Sequence, residues 1–392
     1  MMSKILNEER LVQAATRYVG SSDFYDRHCQ TALKTLLTFL NEEACLSQTG
    51  VLSTFNSLLD ALTKQFFLTT ILSSHPEIAE IPIERLVFIT GFPRSGTTLL
   101  HNLLAQSHPN HTLQLWEMRS FSLPTGERKE WEQEQIVQTK RFLENLYESA
   151  PIFKSIHPMQ ATWTDECNWL FRNSFSSMIY AIIYYIPNYL RWLLQQDLES
   201  VYTFYKRQLQ FLLWRSPGRC LPGKSLILKD PFHLWHLDAL LKVFPDARII
   251  HLHRNISESL PSLCSLSYTL QGICNEHQNP LLLGRYCQEM IAEGMKRMLS
   301  VRSQVEEKNF MDISYYSLIN DPVETVESIY RQLSWDFTRD AEIKMKTWLT
   351  QNKQHKAGKH HYSLEEFGLK KTEIQQDFSE YSNYFLQETL AA

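Results

Sequence analysis

The chain begins with apolar residues spaced for helices. Leu11, Ala14, Ala15 and Tyr18 fall on one helical face, and Val51 to Leu72 is apolar at helical spacing. The pattern predicts two or three helices up to about Ser74, where Ser73-Ser74-His75-Pro76 stops the run. Ile81-Pro82-Ile83 starts something new. A soft boundary therefore separates a helical N-terminal region, 1–80, from a main domain, 81–392.

Past that boundary short apolar runs alternate with helical ones. Leu86-Val87-Phe88-Ile89-Thr90 reads as a buried strand, followed by a helix from about Gly96 to Gln106. Leu226-Ile227-Leu228 and Arg248-Ile249-Ile250-His251-Leu252 are two more strands, with a helix from Leu234 to Phe244 between them. Phe310-Met311-Asp312-Ile313 is a fourth, before a helix that starts at Pro322. Strands alternating with helices predict an α/β fold with a mostly parallel sheet covered on both faces. Ligands of such sheets sit at the carboxyl ends of the strands, here just after Thr90, Leu228, Leu252 and Ile313.

Composition narrows the partners. The net charge of −4 offers no basic excess, so nucleic acid is not expected, and an anionic ligand would need its cations gathered in a pocket. The start of the chain has no apolar run of secretory length. Met178 to Leu194 is the most membrane-like stretch, but Pro187, Asn188 and Arg191 interrupt it, so no transmembrane segment is predicted. Seven cysteines without a Cys-x-x-Cys pair suggest free thiols in a reducing cytoplasm, and neither a zinc pattern nor a disulfide framework.

The chemistry concentrates after the first strand, in Gly91-Phe92-Pro93-Arg94-Ser95-Gly96-Thr97-Thr98-Leu99-Leu100. A strand, a glycine-bearing loop and a helix start make an anion site from unpaired amides, to which Ser95, Thr97 and Thr98 add hydroxyls. The spacing is that of a P-loop, yet Thr97 stands where a nucleoside triphosphatase needs lysine, and the cation has moved into the loop as Arg94. An ordinary strand–helix turn would explain the glycines but not the converging Arg, Ser and Thr.

A second charged turn, His253-Arg254-Asn255, ends another strand, with Ser262 eight residues beyond Arg254. A guanidinium fork and a hydroxyl placed in this way can clamp one phosphate.

Pro93-Arg94-Ser95-Gly96-Thr97-Thr98-Leu99 resembles the 5′-phosphosulfate loop of sulfotransferases that use 3′-phosphoadenosine 5′-phosphosulfate (PAPS), especially their bacterial and tyrosylprotein-like branch. The resemblance implies a P-loop-like three-layer fold and a donor held by Arg94, Ser95, Gly96, Thr97 and Thr98. It also implies that Arg254 and Ser262 hold the 3′-phosphate. His355-Lys356-Ala357-Gly358-Lys359 is similar to the family's late basic segment, which assigns Lys356, Gly358 and Lys359 to the adenosine end; a solvated basic loop is the alternative. Tyr316-Ser317-Leu318-Ile319-Asn320-Asp321-Pro322 and Tyr362-Ser363-Leu364 extend the likeness.

Sulfonate transfer is an in-line displacement for which the protein supplies positioning and fixed positive charge, so no metal is expected. Arg94 is one cation. Lys229, in Leu228-Lys229-Asp230-Pro231-Phe232, is the other by resemblance to tyrosylprotein sulfotransferases; pairing with Asp230 or a surface carboxylate is the alternative. For the base, Glu117 stands where the tyrosylprotein branch carries a glutamate, and His233 follows Lys229 as a histidine does in the cytosolic branch. His157, Asp165 and Glu166 are held in reserve.

Phe171, Phe175, Met178, Tyr180, Tyr184, Tyr185 and Tyr189 either belong to the core or line an apolar cleft. Few charges there favour a hydrophobic or aromatic alcohol, a small-molecule or lipid-like acceptor. The N-terminal helices either help close that cleft or form a homodimer contact. An atypical P-loop kinase and a non-catalytic binding protein on the same fold are the competing functions.

Overall fold

The structure is a computed structural model and describes residues 6–106, 111–216, 225–352 and 361–386. Three helices precede the sheet: α1 (Glu8–Val19), α2 (Arg27–Glu42) and α3 (Gln48–Ser74). Each opens on a side-chain cap for an unpaired amide, Asn7 accepting from Arg10, Asp26 from Cys29 and Ser47 from Gly50. The stripe of α1 that meets the core runs through Leu11, Val12, Ala15 and Val19, which leaves Tyr18 turned out to solvent rather than on the inner face.

Apolar side chains from these helices join one hydrophobic cluster with the main domain. Leu36, Leu62 and Phe66 share it with Phe88, Leu228 and Ile249 of the sheet.

The first strand, β1 (Val87–Gly91), leads into α4 (Thr97–Leu104) and a two-residue β2 (His111–Thr112). Helices then occupy the chain as far as the next long strand: α5 (Leu115–Arg119), α6 (Arg128–Ser149), α7 (Phe153–Ile156), α8 (Asn168–Phe171), α9 (Met178–Ile183), α10 (Pro187–Leu194) and α11 (Glu199–Arg215). The sheet resumes with β3 (Leu226–Lys229), α12 (Leu237–Val243) and β4 (Arg248–His253). Helices α13 (Ile256–Cys274) and α14 (Pro280–Arg302) come before β5 (Phe310–Ser314). The remainder is helical: α15 (Tyr315–Asn320), α16 (Pro322–Leu333), α17 (Arg339–Gln351), α18 (Lys371–Asp377) and α19 (Ser379–Phe385).

All strand pairs are parallel, in the order β2-β3-β1-β4-β5. Successive residues of a strand point to opposite faces, and the sheet shows it. Phe88, Leu228 and Ile249 face one cluster, whereas Val87, Ile89, Ile227, Ile250 and Met311 face another with Leu100 of α4 and Ile329 of α16. Helices cover both faces, giving the three layers predicted. With β1 between β3 and β4, the order diverges at β1, and the crevice at its carboxyl end is the place for a ligand.

Two predicted helices differ in detail. The run expected from Leu234 begins as a 3₁₀ turn over Pro231–His236, because Asp230 Oδ1 accepts from the Phe232 amide and Pro231 fixes the first turn. Pro261 lies inside α13 without breaking it, so Ser262 stays on the helix.

The aromatic stripe proves to be core. Phe175, Tyr180, Tyr184 and Tyr189 are buried, and the Tyr189 hydroxyl donates to the Phe175 and Ser177 carbonyls. At the other end of the chain, the Tyr381 ring of α19 packs edge-on against Phe92, 5.4 Å between centroids, and its hydroxyl shares a 3.0 Å hydrogen bond with His253 Nδ1. Among the described residues no helix is long and apolar enough to cross a membrane.

Candidate active site

The loop between β1 and α4 is folded tightly against the sheet. Gly96 has φ 92°, a left-handed conformation open to glycine, and a Cβ on Gly91 would meet Ser95 Oγ at 2.5 Å and the Leu252 carbonyl at 2.6 Å. Arg94 also adopts positive φ, 74°, a costly choice for an arginine. The Ser95 hydroxyl is buried and has no hydrogen-bond partner among the described residues. An orphaned donor beside open helix amides fits a phosphate group.

Arg94, Arg254 and Ser262 come together at this loop. Arg94 Nε donates to Ser262 Oγ at 3.0 Å, and Arg254 Nη1 donates to the Arg94 carbonyl at 2.9 Å. Arg254 is held further by Glu258 Oε2 at 3.2 Å and by the Tyr315 ring, 4.1 Å from its guanidinium carbon. Glu258 in turn accepts from the Tyr316 hydroxyl at 2.9 Å. Burial lowers the Arg94 pKa, with Arg254 adding repulsion. Two guanidiniums so close favour an anion between them.

Lys229 ends β3 with its side chain 1% exposed. Its ammonium donates to Thr98 Oγ1 at 3.2 Å and to Glu166 Oε1 at 2.7 Å. The partner is thus neither Asp230 nor a surface carboxylate, but one of the reserve acids. Glu166 Oε2 accepts from Asn168 Nδ2 at 2.7 Å, and the Cys167 amide donates to the Lys229 carbonyl at 2.8 Å, which ties this loop to the sheet edge. Asp230, buried beside Glu166, has its pKa pushed well up, first by burial. Burial works to raise the neighbouring Asp165 as well, but the His157 imidazole, 3.9 Å away, and Lys229 hold it below the ordinary range.

The two residues expected to act as base are both buried and hydrogen-bonded within the protein. Glu117 is buried in the capping box of α5, where Oε2 accepts from the Gln114 amide at 2.8 Å. His233 shares a 2.9 Å hydrogen bond with the Tyr202 hydroxyl and packs among Phe88, Phe171 and Tyr205. Burial drives its pKa down to about 3, so it is a poor proton acceptor. Lys356, Gly358 and Lys359 lie outside the described residues. His251, His253 and Asp312 approach one another closely, but Asp312 takes Arg302 through both oxygens, at 2.6 and 2.8 Å. A guanidinium fills the place a metal cation would need.

Sequence reasoning missed Glu258 and Tyr315 as the partners of Arg254. The i,i+4 spacing of Arg254 and Glu258 on a helix start was the available signal; nothing local marked Tyr315.

The sulfotransferase STF1 of Mycobacterium tuberculosis superposes with a TM-score of 0.83 at 28% identity, over 96% of this chain and 99% of that one. STF9 of Mycobacterium avium gives 0.82 at 26% identity, over 97% of both. The omega-hydroxy-beta-dihydromenaquinone-9 sulfotransferases of Mycobacterium bovis and Mycobacterium tuberculosis are 27% identical over 305 residues, 74% of this chain and 72% of theirs. A family model described as "Sulfotransferase family" matches residues 87–339, the span that holds the phosphate loop, Lys229, Arg254 and β5. The chain belongs to the sulfotransferase family and is an enzyme of sulfonate transfer.

Proposed function

We propose that the chain moves the sulfonate of PAPS to the hydroxyl of a lipid-like acceptor, with Lys229 at the transferred group and Glu166 as general base. The observation that carries this reading is the row Thr98–Lys229–Glu166, which joins the phosphate loop to a carboxylate through one ammonium. The α4 amides with Ser95, Gly96, Thr97 and Thr98 hold the 5′-phosphosulfate, and Arg254 with Ser262 holds the 3′-phosphate. Arg94 stands between the two groups. Lys229 meets the negative charge that develops as the sulfur–oxygen bond to the phosphate breaks. Glu166, turned by Lys229 and Asn168, takes the proton of the attacking hydroxyl.

The acceptor class follows from the curated relatives, named for an omega-hydroxylated dihydromenaquinone, and remains our reading for this chain. Glu166→Gln tests the base. Turnover is expected to fall by about 10²–10⁴-fold while 3′,5′-adenosine bisphosphate still binds; a full rate would remove Glu166 from the mechanism. Incubation with ³⁵S-labelled PAPS and a lipid extract tests the acceptor. Label confined to the water-soluble fraction would overturn a lipid-like alcohol.

A further inference from the structure

A second group of cations lies beyond Glu166, away from the phosphate loop. Arg119 ends α5, Arg172 directly follows α8, and Lys64 stands on α3. The Arg119 guanidinium carbon is 3.5 Å from the Phe142 ring centroid and 5.0 Å from that of Trp169. Arg172 stands over the same Trp169 ring at 5.2 Å, and its Nη2 donates to Ser57 Oγ. Lys64 pairs with Asp60 at 2.5 Å. Among the described residues neither guanidinium forms an ion pair, and the buried Arg119 Nε has no hydrogen-bond partner.

Three cations therefore share one carboxylate. Each suffers the others' repulsion, and burial makes that repulsion costlier than in water. Lys64 registers it: its pKa is lowered to about 8, by burial first, with Arg119 and Arg172 adding to the effect and Asp60 offsetting only part. Stacking on aromatic faces gives the guanidiniums some stabilisation but no counter-charge. Arg119, Arg172, Lys64, Phe142 and Trp169 are all half-buried, so solvent still reaches the group. Such an arrangement is relieved when an anion enters.

The place of the cluster relates it to the acceptor. Glu166 lies two residues before α8 and Arg172 directly after it, so the four-residue helix, about 6 Å long, stands between them in the chain. The helix that begins beside the base thus ends at the cations.

We infer that Arg119, Arg172 and Lys64 bind an anionic group of the acceptor (a phosphate, sulfate or carboxylate), at the far end of α8 from the hydroxyl that is sulfonated. Trp169, on α8 between Glu166 and Arg172, packs edge-on against Phe142, 5.7 Å between ring centroids. The inference rests on the sulfotransferase reading with Glu166 at the acceptor hydroxyl, and deepens it: the acceptor is an amphiphile with a charged end, not a neutral alcohol. It also gives the N-terminal helices a role, because α3 contributes Lys64 and Ser57 to the acceptor side.

The test is calorimetric titration of the full chain with n-octyl phosphate, n-octanol and inorganic phosphate, with 3′,5′-adenosine bisphosphate as control. Octyl phosphate is expected to bind at least about tenfold more tightly than octanol, as hydrogen bonds to charged groups allow. Arg172→Gln and Lys64→Gln should each erase most of that preference while leaving bisphosphate affinity unchanged, which also shows that the variants fold. Equal binding of octyl phosphate and octanol, or a preference that survives both substitutions, overturns the inference. Inorganic phosphate binding as tightly as octyl phosphate overturns the amphiphile and leaves a free-anion site. Failure to bind the bisphosphate would instead strike the underlying donor reading.

Discussion

Cations gather in two regions of this molecule, and they are held in opposite ways. At the carboxyl edge of the sheet, Arg254 rests on Glu258 and the Arg94 carbonyl, and Lys229 on Glu166. Each charge has a polar partner supplied by a strand end or a helix start. In the helical layer, Arg119 and Arg172 have rings where the edge has carboxylates. The edge is organised to hold a ligand of fixed shape through directional hydrogen bonds. The helical layer offers flat aromatic surfaces and three cations around the single carboxylate of Asp60.

Four experiments break or sharpen the contrast. The largest effect is expected from acid. His101, His233 and His236, all near the sheet edge, are buried with pKa values lowered to about 3, each mainly by burial. Below the unfolded value of about 6.5, the unfolded chain binds protons that the folded chain refuses, so stability is present above that pH and drains away towards pH 3. Each imidazole contributes up to about 1.4 kcal/mol per pH unit. Hydrogen exchange between pH 7 and 4 should open β3 and α12 before α1–α3. If the N-terminal helices opened first, the edge would not be the acid-sensitive region.

Lys229→Met comes next. Removing the ammonium should cost about 10²–10³-fold in turnover, with bisphosphate binding retained; single-turnover rates with labelled PAPS measure it. A variant that loses donor binding and not rate would make Lys229 a clamp like Arg254. Arg254→Gln should do the reverse, weakening bisphosphate binding roughly 10- to 100-fold, the worth of charge-assisted hydrogen bonds, with little change in rate at saturating donor. The smallest effect belongs to the aromatic stripe. Tyr189→Phe removes the hydroxyl that donates to the Phe175 carbonyl and accepts from the Ser177 amide, and should lower stability by about 1 kcal/mol in a urea melt. Octyl phosphate affinity should not move; a change there would return the stripe to the pocket.

The same contrast governs what the sequence disclosed. Strand β1 was read at 86–90 and lies at Val87–Gly91, and β4 was read at 248–252 and lies at Arg248–His253. The loop that follows β1 was legible because its chemistry is local: a turn, a helix start and the hydroxyls within it. Glu166 was named only in reserve, because its place depends on a loop brought back to the sheet edge by the Cys167 amide and the Lys229 carbonyl, 62 residues apart. Its local sequence carries no mark of that return. The contact that holds Glu117 was illegible for another reason. Its carboxylate accepts from the Gln114 amide at the start of α5, and glutamine is not among the usual helix-capping residues, so the local sequence did not announce the contact. The cluster of Arg119, Arg172 and Lys64 was invisible, since each residue comes from a different helix and only packing makes them neighbours.

The Tyr381 ring beneath Phe92 and beside His253 has a consequence for the order in which the enzyme can mature. Synthesis delivers the five described strands before it delivers α19, so a nascent chain can complete this sheet while Phe92 has Trp235 against it but not yet Tyr381. A ribosome-tethered intermediate ending before Tyr381 would therefore carry the sheet without the contacts that Tyr381 makes to Phe92 and His253.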